Sequence, residues 1–453
     1  MEKKFGLFTS VCMIVGIVIG SGIFFKSDNV LIATGGSVAL GILVFCIAAS
    51  AIIFGSLSIA ELATRTDQPG GIIAYAEAFV GSRAAFLFGW MQNFIYYPTI
   101  TAVVSWVIGI YGCILFGLEA SLELQILIGF LVYSLLCVMN YLSAKAAGTF
   151  QDLATVIKLL PLILIAVAGI FFARPDAAVV SSAPATAGGG GWLAAIGPIA
   201  FSYDGWTVAP SLSHEIKDAK KNLPKALIIA PLFILAAYIC YFAGISRLID
   251  PNEIMQMGDA HVDAAFNRIM GPLGSRLSLV FVIVSIMGTT NGLILGGSRG
   301  LYALGTKNMV PGAGRLAVIH PSRDLPVNGL IASYLICAFW MAVHYLTTRF
   351  RLLPNSDVSE ISIVTMYLLY IILYIAVIRM TIKGEIKSFV RGYLNPVLAI
   401  IGSVIIFWGG IQNPMFFAYL GVSVLVLAAA YIYARNQTGS FRSKNKLKQI
   451  KKP

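Results

Sequence analysis

The sequence predicts an all-α polytopic membrane protein of twelve transmembrane helices, and three observations carry that reading. Charged residues make up only 11% of the 453-residue chain, against roughly 25% in ordinary soluble domains. Hydrophobic residues reach 58% before the 44 glycines are counted, and the mean hydropathy is +0.85, more apolar surface than one soluble core hides. Stretches long enough to cross a bilayer as helices recur along the whole chain, over residues 7–33, 38–62, 83–115, 122–142, 149–172, 192–212, 225–246, 277–303, 327–346, 358–379, 394–412 and 414–433.

Span 1 follows the basic start Lys3-Lys4, as a secretory signal would, but its apolar run continues past Gly22 with no small-residue cleavage site. It carries Gly16-Ile17-Val18-Ile19-Gly20-Ser21-Gly22 near its middle. Each glycine weakens a helix by roughly 1 kcal/mol relative to alanine, so a break is expected near 20–22. Span 5 carries Lys158, nine residues beyond Thr149 and thus roughly 14 Å into an apolar layer about 30 Å thick. A lysine at that depth costs about 2.5 to 3.5 kcal/mol on insertion scales, so it is expected to face the bundle interior. Its expected partners are carbonyls near Gly16 in span 1 and Ser285 in span 8, where a fixed ammonium replaces a bound cation.

Span 6 opens on Gly197-Pro198 and continues as Phe201-Ser202-Tyr203-Asp204-Gly205-Trp206, a carboxylate and a glycine where hydrocarbon should be. A second break is expected here, with Asp204 capping the helix that follows; the alternative is that Asp204 attracts a cationic substrate. The two breaks lie five helices apart. An odd number of spans inverts the second unit, which gives the inverted-repeat plan of many secondary transporters, with halves over 1–172 and 190–380. Helices 11 and 12 over 392–434 and a basic tail over 435–453 then follow. In that plan freed amides at a half-helix N-terminus attract an anion and freed carbonyls at a C-terminal end attract a cation, a field that suits a zwitterion.

Span 8 sets Gly288, Gly292, Gly296 and Gly300 four residues apart, a stripe expected to admit close helix packing. Its Gly296-Gly297-Ser298-Arg299-Gly300 matches a nucleophile-elbow pattern, but that elbow needs a strand before the serine and a triad histidine, so an esterase is rejected. Glu61 and Arg299, near span ends, are expected to be interfacial or paired, and His344 has no metal-like company. Spans 11 and 12 meet in Gln412-Asn413-Pro414 and are expected to be antiparallel neighbours.

Orientation follows from the positive-inside rule. With the N-terminus cytoplasmic, inner segments hold 23 of the 32 lysines and arginines and outer segments 6. Both termini are therefore expected in the cytoplasm of a cell-membrane protein. The cluster from Arg442 to Lys452 is read as a contact for anionic lipid rather than nucleic acid. The six cysteines lack metal-ligand or disulfide spacing, and neither metal nor cofactor is expected.

Ile19-Gly20-Ser21-Gly22-Ile23-Phe24, Phe201-Ser202-Tyr203-Asp204-Gly205-Trp206, Glu215-Ile216-Lys217 and Lys221-Asn222-Leu223-Pro224-Lys225-Ala226 together resemble the amino acid–polyamine–organocation superfamily, within it the L-type amino acid transporter branch. The resemblance spans helices 1 to 10. It implies a LeuT-type fold with discontinuous helices 1 and 6, alternating access and one-for-one exchange. By this similarity the amides of Ser21, Gly22 and Ile23 bind a substrate carboxylate, and the carbonyls of Val18, Ile19, Phe201 and Asp204 its ammonium. Phe201 corresponds to the aromatic that closes over substrate, with Ser202, Tyr203 and Trp206 beside it, Lys158 to the fifth-helix lysine of sodium-independent members, and Tyr238 to a seventh-helix tyrosine of small-neutral exchangers. Relatives bond a heavy-chain glycoprotein through an outer-loop cysteine; Cys113 lies near that place but still within span 3, which weighs against such a partner.

The function expected is therefore sodium-independent exchange of small and medium neutral L-amino acids, not catalysis, since paired carboxylates and histidine clusters are missing at bilayer depth. The alternatives are a proton-coupled or cationic amino acid or polyamine carrier and, in another class, an amino acid sensor or channel on the same scaffold.

Overall fold

The computed structural model describes residues 3–20, 22–24, 26–66, 68–172, 192, 196, 199, 202–353, 357–411 and 413–450, with side chains as far as 437 apart from that of Asp259. Expected span 1 is two helices, α1 (Leu7–Val18) and α2 (Ser27–Ala33). Then come α3 (Val38–Ala63), the short α4 (Ile72–Phe79), α5 (Ser82–Phe116), α6 (Leu122–Leu142) and α7 (Ala144–Phe171). Of expected span 6, only Trp192, Ile196, Ile199, the turn at 202–207, a four-residue helix, α8 (Val208–Ser211), and Leu212 are among the described residues. Beyond it lie α9 (Ala219–Leu248), α10 (Pro251–Met257), α11 (His261–Met270), α12 (Pro272–Thr306), α13 (Ala313–Leu316), α14 (Val327–Arg349), α15 (Glu360–Ile382), α16 (Val390–Ile411) and α17 (Phe416–Ile450).

Among the described residues ten helices are long and apolar enough to cross a membrane: α3, α5, α6, α7, α9, α12, α14, α15, α16 and the first part of α17. The helix of α17 runs on unbroken to Ile450. The packing that matters most surrounds α1, which lies against α7, α9 and α12.

Small residues set how close these helices come. Where α5 crosses α6, a Cβ on Gly109 would sit 1.8 Å from the Gln125 carbonyl oxygen, and one on Gly129 would sit 2.2 Å from that of Ser105. Each glycine faces the other helix's backbone, which no rotamer change can relieve. Gly109→Ala is accordingly expected to destabilise by about 1 to 3 kcal/mol, seen as a lower melting temperature in detergent; an unchanged melting point would mean the two helices have room to part. The glycine stripe of α12 packs likewise, each residue on a different neighbour: Gly288 against Ala154, Gly292 against Ile17, Gly296 against Val208 and Tyr97, and Gly300 against Asn93.

α5 is not regular. Met91–Tyr96 is wound as a π-helical turn, followed by Pro98. Proline has no N–H to give the carbonyl four residues earlier. That carbonyl, of Phe94, instead accepts the indole N–H of Trp340 on α14 at 2.8 Å.

Candidate functional site

α1 stops at Val18 because Ile19 turns extended (φ −74°, ψ 91°) and Gly20 N–H donates to Val18 O rather than to Gly16 O. The helix end thus leaves carbonyls of the kind that attract a cation. Lys158, fully buried on α7, supplies one: its ammonium donates to Gly16 O and Ile19 O, each at 2.6 Å, and to Ser285 O on α12 at 2.9 Å. Three ammonium protons meet three carbonyls. Thr289, one turn past Ser285, reaches Gly16 O and Ile17 O at 3.3 Å, and the Ser285 hydroxyl reaches Ile19 O at 3.4 Å. α7 can approach because residue 16 is glycine, where a Cβ would lie 2.2 Å from Thr155 Oγ1.

The second break touches the first. Gly205 has φ +104°, and a Cβ there would meet Ile17 Cγ2 at 2.6 Å, so the conformation and the space both require glycine. Ser202 packs against Gly22, its Oγ 3.1 Å from where a Cβ would stand. The Tyr238 hydroxyl lies between the two breaks, 2.8 Å from Ser202 O and 3.3 Å from Val18 O. Tyr203 packs on the Tyr238 ring at 4.9 Å between centroids, and Trp206 on Tyr370 at 5.7 Å. Ile23 is fully buried beside Gly22, which is only partly so. Ser21 and Phe201, two of the expected substrate contacts, lie outside the described residues.

Asp204 differs from expectation. α8 starts at Val208 with Thr207 before it and no side-chain cap, so Asp204 does not cap that helix. Its Oδ2 instead accepts the hydroxyl of Tyr96 at 2.6 Å. The sequence reading missed Tyr96. The available signal was Tyr96-Tyr97-Pro98 in mid-span, where a proline interrupts the helix next to polar rings. Also missed was an amide chain across three helices: Asn140 donates to Asn291 Oδ1 at 2.8 Å, and Asn291 to Gln151 Oε1 at 2.8 Å and Ala147 O at 3.1 Å.

At the inner end expected from charge distribution, Arg299 and Glu215 form a buried ion pair, Nε to Oε1 at 2.7 Å. Burial pushes the Glu215 carboxyl up, but the Arg299 guanidinium beside it outweighs that and holds it below the usual carboxylate range. Neighbouring His214 is pushed down from 6.5 to about 4 by burial, so it is neutral near pH 7 and its 3.8 Å approach to Glu215 is not an ion pair. A histidine held neutral by folding contributes stability that is present above its unfolded value and lost as pH falls towards its folded one. Stability is thus expected to decline on acidification from about pH 6.5 to 4, and His214→Phe should flatten that part of a melting-temperature profile. Glu61 is paired with Arg65 and Arg391, at 3.0 and 3.2 Å, and His344 packs on Trp106 with 4.7 Å between ring centroids. Cys113 is a free, buried thiol within α5.

Among the described residues, ten membrane-length helices, with the end of α1 lying against the turn at 202–207, define a multi-pass membrane protein. The amino acid permease family profile matches residues 5–442, and the chain belongs to that family. It is 31% identical over 411 residues, 89% of this chain and 90% of the relative, to the serine/threonine exchanger SteT of Bacillus subtilis. It is 29% identical over 348 residues to the human large neutral amino acids transporter small subunit 2, covering 73% of this chain and 62% of that one. With the mouse b(0,+)-type amino acid transporter 1 it shares 24% identity over 445 residues, 96% of this chain and 88% of the relative.

Proposed function

We propose that this permease is a sodium-independent exchanger of small and medium neutral L-amino acids, working by alternating access in the cell membrane. One observation carries the sodium-independent part: the Lys158 ammonium occupies the point where carbonyls of α1 and α12 converge, so the cation that ties these helices is part of the chain. The amides of Ser21, Gly22 and Ile23 take the substrate carboxylate, and the carbonyls of Val18, Ile19, Phe201 and Asp204 its ammonium. Phe201, Ser202, Tyr203, Trp206 and Tyr238 form the gate and pocket wall. Contact between the two breaks at Gly22 and Ser202, and the kinship with a serine/threonine exchanger, support this reading.

The accompanying architecture is twelve spans of LeuT type, counting two interrupted helices: halves over 1–172 and 190–380, helices 11 and 12 over 392–434, both termini cytoplasmic, and a basic segment over 435–453 against anionic lipid. The burial of Cys113 in α5 weighs against a heavy chain linked through that residue.

Proteoliposomes without sodium or a pH gradient test the proposal. Saturable uptake of labelled alanine, serine and leucine only into vesicles preloaded with amino acid is expected. Equal uptake into empty vesicles would mean a uniporter or channel, and a need for an ion gradient would remove the role given to Lys158. Tyr238→Phe keeps the ring and removes one hydroxyl from the carbonyls of Val18 and Ser202, about 1 kcal/mol, so KM is expected to change roughly fivefold with little change in maximal rate.

A second reading has its own observation. Asp204 is buried, and its Oδ1 has no hydrogen-bond partner among the described residues. A carboxylate so placed favours a cationic side chain, or a proton, as co-ligand. Strong competition by arginine that disappears in Asp204→Asn would favour it over the neutral-substrate reading.

A further inference from the structure

The backbone just before α1 is bound on several sides. The N–H groups of Lys4 and Phe5 both donate to Glu215 O, at 2.8 and 3.0 Å, and Lys217 N–H donates back to Phe5 O at 2.8 Å. Phe5 and Ile216 thus form an isolated parallel β-bridge. Phe5 is only 4% exposed, and its ring lies on Gly148 at the start of α7, where a Cβ would come within 2.7 Å of it. The Lys4 ammonium meets the Asp324 carboxylate at 2.7 Å, in a turn closed by His320 N–H donating to Leu325 O at 2.9 Å. The acceptor of the two amides, Glu215, is itself fixed to α12 through Arg299.

α1 begins at Leu7, two residues beyond Phe5. Only Gly6 separates the helix from its anchor, so the inner end of α1 cannot travel several ångströms while the bridge is intact. On its other side α1 is held by Thr9 to Asp152 at 2.9 Å and by Thr155 to Cys12 O at 3.1 Å. Among the described residues the bridge has no neighbouring strand to extend it, and the Lys4–Asp324 pair is partly exposed and weak on its own.

We propose that residues 4–6 are a latch, pairing with 215–217 and Asp324 to hold the inner end of α1 closed, and that it must unzip before α1 can swing from α7 and α12 to open the site on that side. The latch rests on the alternating-access reading above for its role in the cycle, while its hold on α1 can be measured separately.

Cys12 is a built-in reporter, a thiol on the latched half of α1 and 4% exposed. The full-length protein in inside-out vesicles is treated with a membrane-impermeant maleimide, and the peptide bearing Cys12 is quantified by mass spectrometry. Phe5→Ala is expected to speed its labelling at least fivefold. Lys4→Asp should do so about twofold, with the rate restored in Lys4→Asp/Asp324→Lys. Labelling at the wild-type rate in Phe5→Ala would overturn the latch. In a second arm, Phe5→Cys/Ile216→Cys is oxidised to lock the bridge: exchange of labelled serine is expected to fall at least tenfold and recover on reduction. Full-rate exchange by the cross-linked protein would likewise overturn it. If the unmodified chain exchanged no amino acid, the functional reading would fail while the labelling arm still decided the latch.

Discussion

Lys158→Ala is expected to lower amino acid exchange at least a hundredfold in protein that still inserts and purifies as a monodisperse species. The substitution leaves the carbonyls of Gly16, Ile19 and Ser285 buried without their donor. Hydrogen bonds from a charged group contribute about 1.5 to 3 kcal/mol each, and orphaned buried acceptors cost about 1 to 3. A loss of about 3 kcal/mol from the arrangement joining α1 to α12 already corresponds to about a hundredfold. Lys158→Met preserves the apolar stem and should be nearly as inactive, which separates charge from packing. Lys158→Arg should not rescue, because the carbonyls of Gly16, Ile19 and Ser285 converge on one nitrogen, a geometry that suits a compact ammonium and not the planar fork of a guanidinium. Counterflow of labelled serine measures all three. Wild-type transport that required sodium, together with an unchanged Lys158→Ala, would sink the assignment.

The second large effect is on stability. Arg299→Ala strands the Glu215 carboxylate, which is fully buried, and breaking a buried pair from one side costs about 3 to 5 kcal/mol. A drop of several degrees in melting temperature is expected. Arg299→Met/Glu215→Gln removes both charges and should regain most of it, since no uncompensated charge remains. A double variant as unstable as Arg299→Ala would show that the guanidinium matters through packing or its bond to Ser298 Oγ, at 3.1 Å, rather than through Glu215. At pH 7 the pair is fully formed. Because the folded Glu215 carboxyl titrates below the ordinary range, its contribution is complete above the ordinary carboxylate value and is lost as pH falls from there through the lowered one.

Features set by local chemistry were legible in the sequence. Glycine at 16, 20 and 22 announces a helix that ends early, and depth arithmetic puts Lys158 near mid-bilayer, where only a neighbouring backbone can receive it. The partners of Asp204 were not legible. Capping is decided by residues nearby in sequence, whereas Tyr96 arrives from another helix at a rotation fixed by an irregular turn. The amide chain of Asn140, Asn291 and Gln151 was hidden for a similar reason, since three polar residues scattered through apolar spans show nothing of their convergence until the helices are packed. Glu215 and Arg299 were separately visible, one in a loop motif and one at a helix end, but nothing local to either residue specifies the other.

The wide turn at Met91–Tyr96 has a consequence for how α5 is to be altered. A π turn accommodates one residue more than an α turn, so it advances the phase of everything after it by about 100° relative to a uniform helix. A helical wheel drawn through 82–116 therefore places the two halves of α5 on incompatible faces. Deleting a single residue between 91 and 95 would let the ladder close as a regular helix, an improvement by local measures. It would also rotate the first half of the helix against the second, so that Tyr96 and Trp90 could no longer both keep their bonds to Asp204 and Met309. The irregularity works as a spacer that sets two registers on one rod, and a scan by single-residue deletion would expose it where substitution at the same positions would not.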